Sequence, residues 1–250
     1  MAERPEGSGD SPSPFSERGW VIAAGLVLVL ATAAVVLLAT GDGGGHDETS
    51  SSGPATTSTT TSTGDPAASV CGLPAGDQRV PVTPPAAHWV LIGQLAAPSG
   101  QAGPGRTSGG VRSCYAHSPT GALFAATNFL AAALATNSEK EELALLPLFA
   151  DTAALEEAKA QPYERCPSAS RHQLAGFRIP ARTEDEVTVE LALLLSESDG
   201  RTGLRALTLP MRWEDGDWKF VLNESPECGS DPYNVKQLND LSGYVEWGAP

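Results

Sequence analysis

The sequence predicts an α+β domain that follows one transmembrane helix and a flexible linker. Three observations lead to this prediction. Residues 20–39 are almost wholly apolar, and apolar residues at helical spacing begin near residue 118. From residue 174 onward, apolar residues instead alternate with polar ones, as in the strands of a half-buried sheet. Because the helical pattern precedes the alternating pattern, helices and strands are segregated along the chain, which is typical of α+β architecture.

Residues 20–40 are predicted to form the transmembrane helix. The stretch 20–39 carries no charge, and a helix of that length is about 30 Å long, the thickness of a bilayer core. A cleaved signal peptide is the alternative, but the apolar run is long for a signal core and residues 1–19 are not basic. No Lys or Arg lies between Arg18 and Arg79. This asymmetry favours a cytoplasmic N-terminus and an extracellular C-terminal domain.

The flanking segments differ sharply in composition. Residues 1–19 are rich in Pro, Ser and Glu and are predicted to be a disordered cytoplasmic tail. Residues 41–70 are mainly Gly, Ser and Thr, which predicts a linker. Residues 71–250 are long enough for one folded domain. In that domain 22 acidic residues outnumber 14 basic ones, which argues against direct nucleic-acid binding because phosphate contacts need Lys and Arg.

All four cysteines follow the predicted anchor: Cys71, Cys114, Cys166 and Cys228. An even number of cysteines in an exported region predicts two disulfides. The alternative is a zinc site, because Cys114-x-x-His117 and Cys166-x5-His172 supply thiolates and imidazoles. Neither pair has the compact spacing of a zinc finger, so disulfides are preferred. Three connectivities are open, and the preferred pairing joins chain neighbours, Cys71–Cys114 and Cys166–Cys228.

Three helices are predicted between residues 118 and 160. The first, 118–137, has apolar residues at three- and four-residue intervals and is rich in alanine. Ser138 with Glu141 matches a capping box that starts the second helix, and Pro147 ends or kinks it. Asp151 or Thr152 caps the third helix.

About four strands follow in an antiparallel meander, and its last turn fixes the register. The dipeptide Asp215-Gly216 is the strongest short signal for a two-residue hairpin turn. Closing the chain there pairs Trp213 with Trp218 and puts the apolar side chains of both strands on one buried face. The predicted core of this hairpin consists of Leu209, Met211, Trp213, Trp218, Phe220 and Leu222. Core packing is therefore preferred over a ligand-binding role for the two tryptophans.

Three motifs carry a resemblance to a known group of proteins: "HSPTGALFAATNF" (117–129), "WEDGDWKFVL" (213–222) and "LSGYVEWG" (241–248). Together with the order of helices and strands, they resemble the nuclear-transport-factor-two-like cone fold in membrane-anchored proteins of actinobacterial conjugative elements. The layout is similar to that of single-span assembly factors of type IV secretion systems. The resemblance implies three helices packed on a curved four-stranded sheet. It also implies a structural role in a conjugation or secretion apparatus.

No enzymatic activity, metal or cofactor is predicted. The inward strand positions carry only apolar residues, and no G-x-S-x-G nucleophile motif occurs. The histidines are expected at the surface or at helix edges: His46, His88, His117 and His172. The remaining polar candidates for a cavity are Tyr115, Asp151 and Tyr163.

Two functions are therefore considered. The first is a membrane-anchored extracellular scaffold or assembly component of a conjugation or type IV secretion-like apparatus. Its expected partners are the bilayer, through residues 20–40, and other membrane or envelope proteins, with homo-oligomerisation left open. The alternative is an envelope module that binds a small hydrophobic ligand in the cavity of the cone.

Overall fold

The structure, a computed structural model, describes residues 68–163, 171–197, 199–224 and 233–250. Among these residues, no helix is both long and apolar enough to span a bilayer. The predicted tail, transmembrane helix (20–40) and most of the predicted linker (41–70) lie outside the described residues. The described residues belong to a compact unit that covers residues 61–250.

The described part of the chain is mostly β-sheet, so the predicted α+β cone-type fold is wrong. Instead of about four strands, a six-stranded antiparallel sheet and two separate two-stranded hairpins are present there. The strands are β1 His88–Ile92, β2 Leu95–Ser99, β3 Arg106–Ser108, β4 Val111–Ser113, β5 Arg171–Arg182, β6 Glu186–Ser196, β7 Thr202–Glu214, β8 Asp217–Phe220, β9 Lys236–Leu238 and β10 Val245–Glu246.

The strands that the sequence did not reveal are short. β1 to β4 form two hairpins inside a Pro- and Gly-rich segment, and β9 and β10 have three and two residues. β9 and β10 are held by backbone pairing with a longer neighbour, and strands of two or three residues show no alternating pattern. The three long strands β5, β6 and β7 have 12, 11 and 13 residues and carry the alternation of apolar and polar residues that predicts strands.

The helices form where their caps predict. Helix α1 spans Pro119–Ala135, and its N-cap Ser118 accepts a hydrogen bond from the amide of Gly121. Helix α2 spans Glu139–Leu145 after the cap Ser138, and a 3₁₀ turn, Leu146–Leu148, contains Pro147. Helix α3 spans Ala153–Ala160 and is capped by Thr152. Only α1 is long, because α2 and α3 have seven and eight residues.

The main sheet has the order β10-β5-β6-β7-β8, and β9 pairs with the other end of β7 beside β8. Helix α1 covers one face of this sheet. The core lies between them and includes Phe124 and Leu130 of the helix and Val189, Leu191 and Leu209 of the strands. All of these side chains are at most 1% exposed.

The C-terminal segment reaches both edges of the main sheet. β9 pairs with β7, whereas β10 pairs with β5. Between them, Tyr244 contacts Glu190, which lies on the face of β6 opposite the core residues Val189 and Leu191. Residues 236–246 therefore cross the outer face of the sheet. Small residues aligned in register, Gly176, Ala192 and Ala206, leave room for this crossing.

Candidate functional site

The β7–β8 hairpin has the register that the Asp-Gly turn predicts. Trp213 pairs with Trp218, and Met211 pairs with Phe220. Asp215 and Gly216 both have positive φ, 55° and 77°, as a type I′ turn requires. The two tryptophan rings meet edge to face with centroids 5.5 Å apart. They are cross-strand partners, and no side chain separates them.

The six predicted core residues of this hairpin are not equally buried. Trp213 is half-buried, whereas the other five are buried: Leu209, Met211, Trp218, Phe220 and Leu222. Leu222 lies beyond the end of β8, where the amide of Val221 still donates to the carbonyl of Pro210 over 2.9 Å. The hairpin is thus one wall of the core rather than a ligand box.

The tip of this hairpin holds the segment that leads into helix α1. We call this arrangement the clasp: residues 69–73, 114–118 and 215–218. The carboxylate of Asp217 accepts hydrogen bonds from the amides of Cys114, Tyr115 and Trp218, the last two over 2.9 Å. Burial raises the pKa of Asp217, and these amides and the charge of Lys219 oppose that rise.

His117 lies inside the clasp, buried directly before the helix cap Ser118, so of the two expected positions it occupies the helix edge and not the surface. It is 4% exposed, and its ring stacks on Trp213 with centroids 4.1 Å apart. Its Nε2 lies 3.1 Å from both the Asp185 carboxylate and the carbonyl of Glu184. The indole of Trp218 donates to the carbonyl of Ala116 over 2.9 Å. The sequence does not indicate that His117 is buried, because Pro- and Gly-rich segments carry no pattern that reports which residue faces inward.

One disulfide joins two parts of the clasp. Cys71 and Cys114 are bonded, with Cα atoms 6.1 Å apart, as preferred on sequence. Cys166 and Cys228 lie outside the described residues, and their pairing stays a prediction. Because Cys114 is bonded to Cys71, it is not a thiolate ligand beside His117. In the described part of the chain, no group of three or more His, Cys, Asp or Glu is arranged to hold a metal.

The polar candidates for a cavity are not brought together. Tyr115 is buried, its hydroxyl donates to the carbonyl of Arg112 over 3.4 Å, and burial raises its pKa. Asp151 is exposed at the start of α3, and Tyr163 is half-buried beyond the end of that helix. His88 is exposed and His172 is half-buried, while His46 lies outside the described residues. The described ones among these side chains form no shared site.

A charged cluster on the outer face of the sheet was missed by sequence reasoning. The Glu190 side chain is 5% exposed and lies 2.6 Å from Nε of Arg178. It accepts the hydroxyl of Tyr244 at 2.8 Å and lies 3.8 Å from Nζ of Lys236. Burial raises the pKa of Glu190, but the hydrogen bonds from Arg178 and Tyr244 and the charges of Arg178 and Lys236 outweigh burial and lower it.

The charged cluster fastens the C-terminal crossing to the sheet. Its members come from β5, β6, β9 and the segment before β10. The Arg178 guanidinium also lies over the Tyr244 ring, 4.9 Å from its centroid. Both oxygens of the Glu190 carboxylate face a donor. This arrangement favours a structural role for Glu190 over proton transfer.

The β1–β2 hairpin presents the most exposed apolar strand among the described residues. Leu91 is 70% exposed and Val90 is 44% exposed. On the same hairpin, Leu95 and Ala97 are fully buried in the core. Trp89 packs on Trp247 with ring centroids 4.9 Å apart. The hairpin is thus fixed to the core while part of β1 faces solvent.

The outer edge of β1 has free backbone groups. In the described part of the chain, β1 pairs only with β2. Ile92 and Leu95 flank a two-residue turn, so they form a hydrogen-bonded pair and the pairs alternate from there. The backbone groups of Trp89 and Leu91 therefore point away from β2. The Pro98 opposite Trp89 agrees with this register because proline has no amide hydrogen.

This edge also lacks charge. No Asp, Glu, Lys or Arg lies between Arg79 and Arg106 in a chain whose net charge is −14. Natural proteins usually protect an exposed edge strand with lysine, proline or a bulge. β1 has none of these within its five residues. An apolar, uncharged and unprotected edge is the geometry that accepts an additional strand from a partner.

The fold and the clasp define an antiparallel sheet domain closed by a disulfide. Residues 51–246 match the model of a family described as a domain of unknown function (DUF8175), so the chain belongs to that family. Comparison with curated proteins and with solved structures gives no match.

Proposed function

We propose that this protein is an extracellular scaffold of a conjugation or type IV secretion-like apparatus, anchored by residues 20–40, that docks other envelope proteins. The observation that carries the proposal is the unprotected edge of β1. Its outward backbone groups at Trp89 and Leu91 give a partner strand directional hydrogen bonds. Its exposed apolar side chains give that partner an apolar contact.

The partner is an extended, largely apolar segment of another envelope protein. A strand of that kind gains main-chain hydrogen bonds along β1 and buries Val90 and Leu91, which are exposed in the isolated chain. A strongly acidic partner is disfavoured because the domain itself carries an excess of acidic residues. The resemblance of three sequence motifs to anchored proteins of conjugative elements supports a partner within a transfer apparatus.

The disulfide supports the proposed location of the domain outside the cell membrane. Disulfides persist in oxidising compartments, and Cys71 is bonded to Cys114. The apolar stretch 20–39 and the arginine that precedes it support an anchor with its N-terminus in the cytoplasm.

The packing of the described residues gives the hydrophobic-ligand alternative no support. Phe129 stacks on Phe220 with ring centroids 4.5 Å apart, and Phe149 meets Phe129 edge to face at 5.1 Å. These rings fill the space between α1 and the β7–β8 hairpin. The groove found near Thr188 and Pro210 has a volume of about 220 Å³ and a mixed lining that includes Glu186 and Arg212. That lining does not favour a hydrophobic molecule.

Site-specific photocrosslinking in membranes tests the proposal. A photoreactive amino acid at position 91 should form an adduct with a subunit encoded beside this protein in the same transfer element. The same amino acid at Leu143, a 57% exposed residue on α2, is the matched control and should give no such adduct. Adducts from both positions, or from neither, would argue against docking at β1.

An edge-blocking variant adds a second test. Leu91→Lys places a charge on the docking edge without disturbing the buried residues of the hairpin. Copurification of the transfer-apparatus subunit should be lost, while the melting temperature stays within about 2 °C of the wild type because surface changes rarely exceed about 0.5 kcal/mol. Leu143→Lys should retain the subunit.

A further inference from the structure

We propose that the Cys71–Cys114 disulfide carries pulling force from the N-terminal side of the domain directly to the clasp, so that residues 72–113 bear none of it. This property goes beyond docking at β1, because it belongs to the folded domain whether or not a partner is bound. It matters for a tethered scaffold, since tension from the tether enters the domain on the N-terminal side of Cys71.

The described part of the chain is fixed to the clasp immediately before Cys71. The amide of Val70 donates to the carbonyl of Gly216 over 2.8 Å. Ser69 is 5% exposed, and its hydroxyl accepts the amide of Leu73 over 2.6 Å. Among the described residues, these contacts tie the chain to the tip of the β7–β8 hairpin one residue before the disulfide.

The other side of the disulfide is held by the core. Cys114 is fully buried, and its amide and that of Tyr115 donate to Asp217. Four residues later Ser118 caps helix α1, which lines the core along most of its length. A force on Cys114 must break all of these contacts at the same time. The force required is therefore that needed to unfold the main sheet and helix α1.

The residues between the two cysteines would respond differently. They contain two separate two-stranded hairpins, β1–β2 and β3–β4. Without the disulfide, tension at Cys71 would reach them one after another from their N-terminal end. Segments with few shared contacts open locally at a lower free energy than the whole domain. The hairpins would then peel before the main sheet unfolds.

The length released by such peeling is defined by the sequence. The 43 steps between the two cysteines extend to about 150 Å, whereas the Cα atoms are 6.1 Å apart when the disulfide holds. Peeling therefore adds about 140 Å of extension. By comparison, the C-terminal segment from β9 onward is much shorter, so its release gives a clearly smaller step.

Force spectroscopy on the full chain, with handles at both termini, tests the inference. The Cys71→Ser, Cys114→Ser double variant should show an extension step of about 140 Å at a force below that of the main unfolding event. The wild-type protein should lack this step. Equal first steps in the two proteins, or an early step of that length in the wild type, would overturn the inference.

A second variant keeps the test decisive if the double variant does not fold. Asp217→Ala retains the disulfide but removes the acceptor that holds the amides of Cys114 and Tyr115. The force of the main unfolding event should fall, with no step of about 140 Å. Asp199→Ala, at an exposed carboxylate in the β6–β7 turn, is the control and should unfold at the wild-type force. Equal forces for Asp217→Ala and the control would contradict force transfer through the clasp.

Discussion

Replacing Trp218 with alanine should lower the free energy of unfolding by about 4–5 kcal/mol. The indole is 2% exposed and lies among Trp213, His117 and the backbone of Ala116. Truncating a buried tryptophan to alanine typically costs about 3–5 kcal/mol through lost transfer free energy and the cavity left behind. The upper part of that range applies because the indole's hydrogen bond to the carbonyl of Ala116 is also lost, which leaves that carbonyl with the Ser118 amide as its donor.

Two companion variants separate the contributions at this position. Trp218→Phe keeps most of the ring but removes the donor to Ala116, and should cost about 1–3 kcal/mol. Trp213→Ala removes a half-buried ring, so it should cost clearly less than Trp218→Ala. The larger loss expected for Trp218→Ala than for Trp213→Ala reflects the deeper burial of Trp218, since both tryptophans occupy the same cross-strand pair.

Urea unfolding followed by far-ultraviolet circular dichroism measures these differences, because removing a tryptophan alters fluorescence directly. The slope of the free energy against urea should stay constant while the midpoint moves. A loss below about 1.5 kcal/mol for Trp218→Ala, or a larger loss for Trp213→Ala, would refute the assignment of Trp218 to the core.

Three further predictions concern other parts of the fold. The lowered pKa of Glu190 stabilises the native state above the ordinary carboxyl value of 4.5, and this contribution is lost as the pH falls through the lowered pKa. On acidification, the wild-type protein should therefore lose more of its free energy of unfolding than the Glu190→Gln variant. Parallel curves of this free energy against pH would contradict the stabilising role of the charged cluster. Gly121→Ala should destabilise the domain by about 1–3 kcal/mol in thermal melts, despite the helix preference of alanine. The reason is that the added methyl group would lie 1.9 Å from the carbonyl oxygen of Ala116. An increase in stability would show that this contact is wrong. The Cys71→Ser, Cys114→Ser double variant should lose about 4 kcal/mol in urea unfolding, and an unchanged midpoint would mean that the disulfide does not constrain the chain.

The long elements could be read from the sequence because their periodicity is repeated many times. β6 carries five alternating apolar residues and β7 carries four, and Asp215-Gly216 fixes the register of the neighbouring strand β8. The same holds for α1, where helical spacing and the Ser118 cap agree. Local patterns are sufficient wherever an element is long enough to bury one face by itself.

The clasp and the charged cluster could not be read in this way. His117 and Trp218 are 101 residues apart in the chain, and only the fold brings their rings together, with centroids 5.6 Å apart. Glu190 occupies a strand position that faces away from the core, so its alternation predicts exposure. It is buried because residues 236–246 cross over it. Neither contact leaves a signal in the spacing of nearby residues.

The short edge strands account for the wrong fold class. β1 and β2 lie in a stretch dominated by proline and glycine, which indicates loops when read locally. Their pairing is fixed instead by Gly93, whose φ of 56° forms the turn, and by its close packing on Ala135. Backbone pairing of this kind depends on tertiary neighbours more than on side-chain pattern.

The central claim is that the domain is exported and closed by the Cys71–Cys114 disulfide. Rapid acid quenching of cells, followed by denaturation and alkylation with a maleimide reagent at neutral pH, tests it most directly. Neither Cys71 nor Cys114 should be modified unless a reductant is added first, as read by peptide mass spectrometry. Modification of both residues without reductant would place the domain in a reducing compartment and contradict the proposed location.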